Sequence, residues 1–342
     1  MPDPAPDANP LGLNGFAFVE FTGPDAGVMA AALEKLGFTA AAHHPARDVV
    51  LYRQGEARFL LNHAATRQAR DFAAQHGPSA NGMGFVVADP EAALALAVRR
   101  GAEPVADALF PHALQGIGSA LLYLVAAEAF ADWPALPGAG GGGVGFRRID
   151  HLTHNVRRGR MRHWSDFYRS IFGFSEQRYF DIKGQASGLF SQAMIAPDKT
   201  IRIPLNESQD DRSQIEEFLT AYNGEGIQHI ALTTDDIHAT VEALRARGVA
   251  LQDTPDAYYD LVDRRVPGHG EDLARMRENR ILIDGDVEKD GVLLQIFTEN
   301  TFGPIFFEII QRKGNDGFGN GNFQALFESI ELDQIRRGVI KV

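Results

Sequence analysis

His151, His229 and Glu308 are almost evenly spaced through the second half of the chain. Each falls in a run that reads as a β-strand: 149–153, 226–232 and 305–310. An imidazole or carboxylate inside an apolar strand is costly to bury without a partner. One divalent metal ion could partner all three. Two histidines and one carboxylate on one face leave coordination positions open, the donor set of non-haem Fe(II) oxygenases. Ligands so far apart in sequence need a folded sheet to bring them together. His154 lies an odd number of positions from His151 on one strand, so the two point to opposite faces. They are not a local metal-binding pair, and periodicity alone does not choose between them.

Amide side chains recur beside these residues. Asn206 and Gln295 lie in apolar strand-like runs, Gln228 precedes His229, and Gln214 opens a helical stretch. Buried amides need partners, either backbone groups or a polar substrate. The histidines at 43, 44, 63, 163, 238 and 269 sit in helical or polar stretches and read as solvated surface residues. The run from Gly317 to Phe323 superficially resembles a nucleotide fingerprint, but too little chain follows it to complete a βαβ unit. It reads instead as a hinge feeding a final helix. Asn322 would cap that helix, and Phe323, Leu326, Phe327 and Ile330 would form its apolar face. Such a helix, close in sequence to Glu308, could cover a site as a lid.

The elements that must position these residues come in two related sets. A glycine-rich linker at 137–145 separates a first half at 13–136 from a second at 146–342, and a Pro/Asp-rich stretch at 1–12 reads as a disordered tail. Each half opens on an apolar strand followed by a helix that ends at glycine. The run from Gly82 and its helix up to Gly101 resembles the run from Gly226 and its helix up to Gly248. Ile237, Val241 and Leu244 give the latter helix a buried stripe, and Asp235 or Asp236 can cap it. The pattern predicts an α+β repeat with helices on one side of a curved sheet. Aligned in this way, Phe85 stands where His229 stands, and the strand Leu121–Val125 carries no carboxylate. The first half is then a scaffold without the ligand set.

Bulk composition narrows the function further. The chain has 342 residues, net charge −12, 44% hydrophobic residues and no cysteine. An acidic chain is unsuited to nucleic acid or an anionic membrane surface. Thiol catalysis and zinc–thiolate sites are excluded. No run is long and apolar enough for a membrane-spanning helix. The start lacks the basic and apolar regions of a signal peptide, so a cytoplasmic location is expected.

Several runs together carry a family resemblance: Asp150 to Val156, Arg178 to Gly184, Pro204 to Glu207, Gly224 to His229, Leu294 to Phe297, Phe307 to Arg312 and Gly317 to Phe323. With them the second half resembles the 4-hydroxyphenylpyruvate dioxygenases of the vicinal-oxygen-chelate superfamily; the first half resembles that family's non-catalytic repeat more loosely. The resemblance implies two tandem vicinal-oxygen-chelate domains of βαβββ repeats with open, curved mixed sheets and a C-terminal helix over the active site. It implies that His151 rather than His154 joins His229 and Glu308 in holding Fe(2+). It implies a substrate pocket lined by Ser191, Asn206, Gln214, Gln228 and Gln295, with Phe297 and Phe323 flanking the aromatic ring and Phe306 and Phe318 nearby. Asn206, Gln228 and Gln295 would serve catalysis by orienting polar atoms of the substrate. The implied reaction converts 4-hydroxyphenylpyruvate and O2 to homogentisate and CO2 in tyrosine breakdown, in a homo-oligomer, dimer or tetramer. 4-Hydroxymandelate synthases share the triad and substrate, and a non-catalytic binding protein of the superfamily is a more distant alternative.

Overall fold

The structure, a computed structural model, describes residues 9–138, 142–183, 188–211, 213–322 and 325–326. Eight strands of the first half form one sheet: Leu13–Thr22, Thr39–His43, Val49–Gln54, Ala57–Asn62, Ser79–Val87, Pro104–Val105, Ala113–Gln115 and Leu121–Val125. Eight of the second form another: Phe146–Val156, Ser175–Lys183, Gly188–Ile195, Arg202–Ser208, Gly226–Thr234, Leu282–Asp286, Gly291–Phe297 and Phe306–Lys313. In both sheets the spatial order, numbered along each half, is 2-3-4-1-5-8-7-6. Each half is therefore two βαβββ units whose opening strands meet, antiparallel, at the centre.

Local chemistry sets the helices that follow these opening strands. Asp25, Asp89 and Asp236 each cap a helix by accepting a hydrogen bond from a backbone amide three residues on. The helix Met161–Phe172 stops where Gly173 takes φ 77°, a left-handed conformation that suits glycine. Of the two capping candidates at the second-half helix, Asp236 is the one used.

One apolar core runs through both halves. Phe21 meets Phe302 with ring centroids 5.0 Å apart, Phe59 meets Phe307 at 5.8 Å, and Phe85 meets Phe172 at 5.8 Å. The odd-numbered Phe307 faces this shared core, so its neighbour Glu308 faces the opposite side of the sheet. The second half can thus keep a hollow on one sheet face without losing core on the other.

Two sequence expectations shift at the chain's margins. Leu11 is buried and Gly12 donates a backbone hydrogen bond to Asn9, so ordered structure starts by residue 9; the rest of the expected tail lies outside the described residues. The end of the linker is also tied down: the Gln54 side-chain oxygen accepts from the backbone amides of Val144, Gly145 and Phe146.

Candidate metal centre and substrate cavity

Three neighbouring strands at the centre of the second sheet bring the triad together. Ala231 pairs with His151 on one side and with Glu308 on the other. Its small side chain leaves room between them, and His229 sits two residues back on the same face. His151 Nε2 lies 3.1 Å from Glu308 Oε2, and His229 Nε2 lies 3.5 Å from the same oxygen. One ligand atom from each residue lies within 4.8 Å of the other two.

Regular strand periodicity does not explain the neighbours of these ligands. Between Ala231 and Leu232 the partner strand advances two residues, from His151 to Ile149, which leaves Asp150 in a bulge. Between Ile227 and His229 the partner advances only one, which leaves Gln228 in a bulge. Each bulged side chain therefore reaches the ligand that follows it. Asp150 Oδ2 lies 2.8 Å from His151 Nδ1, and Gln228 Oε1 lies 3.0 Å from His229 Nδ1. An ionised carboxylate or an amide oxygen can only accept, so Nδ1 carries the proton in both rings. In the neutral imidazole this leaves the Nε2 lone pair directed at Glu308. Two nitrogen donors and one carboxylate oxygen, converging and buried, fit a divalent cation.

Electrostatics reinforce this arrangement. Burial alone would raise the Glu308 pKa, but His151 and His229 outweigh it and hold the carboxyl at about 2. Burial also opposes ionisation of Asp150, yet the Arg312 guanidinium and His151 keep that carboxyl far below the usual range. Arg312 donates to both Asp150 oxygens, at 2.9 and 2.6 Å. Burial tends to lower the His151 pKa, but Glu308 and Asp150 raise it; at His229 burial prevails and lowers it.

His154 takes the other face. Its Nε2 meets the Tyr168 hydroxyl at 2.8 Å, beneath the helix Met161–Phe172, and burial lowers its pKa to about 3. A histidine held neutral in the fold but free to protonate when unfolded stabilises the protein fully above pH 6.5. That contribution is lost as pH falls from there towards about 3. Urea midpoints should therefore fall more steeply between pH 6.5 and 4 for the parent than for His154→Gln; parallel curves would remove His154 as the cause.

The triad opens into a cavity of about 250 Å³. Ser191, Asn206, Gln214, Gln228, Gln295, Phe297, Phe306 and Phe318 all line it. Phe323 lies outside the described residues, as does most of the expected terminal helix. Ser191 and Asn206 are registered partners on adjacent strands. Phe306 stacks on His229 with centroids 5.0 Å apart, and Phe318 meets His151 edge-on at 5.3 Å. Gln295 donates to Glu308 Oε1 at 3.2 Å and accepts from Asn322 at 2.9 Å.

Several sequence readings need correction. Asn322 does not cap the last helix, whose helical residues already begin at 320; its side chain instead bonds Gln295 and accepts from the Tyr258 hydroxyl. His238 is buried, not solvated, because its helix lays that face on the sheet. The structural counterpart of His229 is Gly82, not Phe85. Asp89 and Asp236 cap equivalent helices, and counting back from them sets Phe85 against Leu232. The matching glycines at the two strand starts had misaligned the runs by three residues. Strand pairing agrees: Gly84 bridges Phe18 and Tyr123 as Ala231 bridges His151 and Glu308. The triad thus corresponds to Phe18, Gly82 and Tyr123 in the first half. There Phe18, Phe110, Tyr123, Phe130 and Trp133 fill the space with contacting rings. Asp150 and Arg312 escaped sequence reasoning, although the signal existed: a carboxylate before a ligand histidine and an arginine four residues beyond a ligand glutamate.

Comparisons with known proteins agree with this geometry. A family model described as "Hydroxyphenylpyruvate dioxygenase, HPPD, N-terminal" matches residues 8–133. A second, "Glyoxalase/Bleomycin resistance protein/Dioxygenase superfamily", matches residues 148–262. A 4-hydroxyphenylpyruvate dioxygenase from Legionella pneumophila (strain Corby) is 52% identical, covering 97% of this chain and 98% of its own. Its namesake from Pseudomonas aeruginosa is 54% identical, covering 97% of each chain. Among solved structures, a mutant of 4-hydroxymandelate synthase from Streptomyces coelicolor matches with a TM-score of 0.81 at 30% identity, covering 94% of this chain and 99% of that one. With relatives more than half identical along nearly its whole length, and with the first-half model specific to the same enzymes, the chain belongs to the 4-hydroxyphenylpyruvate dioxygenase family.

Proposed function

We propose that the chain is a 4-hydroxyphenylpyruvate dioxygenase that uses Fe(II) and O2 to form homogentisate and CO2. The observation that carries this reading is the His151–His229–Glu308 cluster opening into a cavity walled by amides and phenylalanines, in a member of this family. His151, His229 and Glu308 would hold Fe(II), which would supply open positions for the 2-oxo acid and O2, the substrate's own decarboxylation supplying electrons.

The remaining work falls to side chains of this chain. Two neutral imidazoles and one carboxylate leave a divalent ion with net positive charge, which favours an anionic substrate. Ser191, Asn206 and Gln214 present hydroxyl and amide groups that can bind the phenol hydroxyl. Phe297, packed edge-on against Phe306 with centroids 6.0 Å apart, lines the cavity and would offer one wall to the aromatic ring. Leu189, Pro204 and Ile215 line the cavity with apolar surface that excludes water. Positioning of this kind accounts for attack at the ring, with the side chain migrating to the neighbouring carbon.

A second reading is 4-hydroxymandelate synthase, which hydroxylates the benzylic carbon of the same substrate; the structural match to that enzyme favours it. Sequence identity of 52–54% to 4-hydroxyphenylpyruvate dioxygenases outweighs 30% to the synthase. Chromatography after incubation with Fe(II), 4-hydroxyphenylpyruvate and O2 separates the two. Homogentisate is the expected product; 4-hydroxymandelate would overturn the reading.

We also place the protein in the cytoplasm, as a homo-oligomer, dimer or tetramer. The absence of cysteine suits a reducing compartment without requiring it. Among the described residues no helix is long and apolar enough to cross a membrane.

A further inference from the structure

Both ligand histidines follow a bulged residue whose side chain accepts the ring Nδ1–H, but the two acceptors differ. Behind His151 stands a carboxylate, Asp150, only 2% exposed. Arg312 grips both of its oxygens, and Arg202 Nη1 lies 3.6 Å from Oδ1. Arg312 is anchored in turn by donating to the carbonyls of Asn315 at 3.0 Å and Gly317 at 2.7 Å. Behind His229 stands a neutral amide, Gln228, with no comparable clamp among the described residues. The first half makes the contrast sharper. It has bulges at the equivalent places, Ala17 and Asn81, but no histidine follows either one. The bulges belong to the repeat; an acceptor paired with an imidazole belongs to the second half.

We propose that Asp150 and Gln228 are positioning residues for the metal ligands, and that they hold the two imidazoles unequally: His151 rigidly through the Asp150–Arg312 clamp, His229 loosely through an amide. Gln228 then acts through His229 rather than mainly on the substrate. Outer partners of this type fix ring orientation and raise ligand basicity, and losing one typically weakens metal affinity by about 10–100-fold. Unequal partners make His151 the stronger and better-fixed donor. The inference rests on the triad being a metal site, as proposed above, but not on the reaction catalysed there.

The test uses the full chain loaded with Co(II) alone, without substrate or O2. Each ligand Nδ1–H should give one strongly shifted proton signal that disappears in D2O, two in all for the parent. Chelator competition gives the Co(II) and Fe(II) affinities of the same samples. Asp150→Asn should move one signal and weaken affinity about 10–100-fold. Gln228→Leu should abolish or broaden the other signal with a smaller loss of affinity. Because Asp150→Asn leaves Arg312 without its ion pair, the double variant Asp150→Asn/Arg312→Met removes the stranded charge. It should keep the parent's circular dichroism spectrum and still bind metal weakly. Unchanged signals in both single variants, or double-variant affinity within about 3-fold of the parent, would overturn the proposal. If the cobalt results are as expected but no homogentisate forms, the assigned reaction fails and the positioning roles stand.

Discussion

Glu308→Gln is expected to abolish turnover by removing the only anionic ligand. The residue is 2% exposed and lies between two imidazole nitrogens, so no other anionic group is at hand to replace its charge. The amide keeps the shape and could still accept a hydrogen bond from Gln295. It would lose the charge that makes the donor set match Fe(II), and its NH2 could turn towards a histidine Nε2. Loss of an outer partner alone typically weakens metal binding by about 10–100-fold, so loss of a ligand should exceed about 100-fold. Iron content after gel filtration should fall to background, with homogentisate formation below about 1% of the parent's, a barrier increase of roughly 3 kcal/mol or more. Parent-like iron and turnover would remove Glu308 from the ligand set.

Gly319→Ala is expected to have the next largest effect, with no change to any group that touches metal. Gly319 has φ +72°, and a Cβ there would lie 1.5 Å from the Gln295 side-chain oxygen. No rotation of a methyl relieves that overlap, so either Gln295 leaves its place or the turn moves. Gln295 holds Glu308 on one side and Asn322 on the other, so both would lose a partner together. The left-handed backbone adds about 1–2 kcal/mol of strain at a non-glycine residue. A displacement of about 1 Å near the chemistry can reduce rate by about 100-fold. The expected result is a fall in kcat of that order with the fold intact by circular dichroism. Turnover within 3-fold of the parent would mean that the turn yields freely and that Gln295 is not fixed by it.

How legible this site was in the sequence depended on whether a residue obeyed a simple period. His151, His229 and Glu308 stood out because a polar side chain in an apolar strand has few explanations. The odd spacing of His151 and His154 correctly sent them to opposite faces, and the family runs resolved which one joins the triad. Asp150 and Gln228 were harder, because adjacent strand residues should point apart. A bulge lets two successive side chains share one face, and its position depends on pairing with a strand far away in sequence. The displaced match between Gly82 and Gly226 has the same origin: local similarity fixes composition, whereas hydrogen-bond register fixes position. Asn322 resembled a helix cap because caps are local signals, but its partners, Tyr258 and Gln295, come from elsewhere in the fold.

The rings filling the first half have a consequence for anyone wishing to give this chain a second reaction chamber. Installing Phe18→His, Gly82→His and Tyr123→Glu would copy the donor atoms but not the void around them. Even with both rings replaced, a Cβ on Gly82 would lie 3.1 Å from Glu20 Oε2. Phe110, Phe130 and Trp133 would still occupy the volume a substrate needs. Excavation must come before decoration: those three rings would have to shrink first, and the stability they contribute would have to be restored elsewhere.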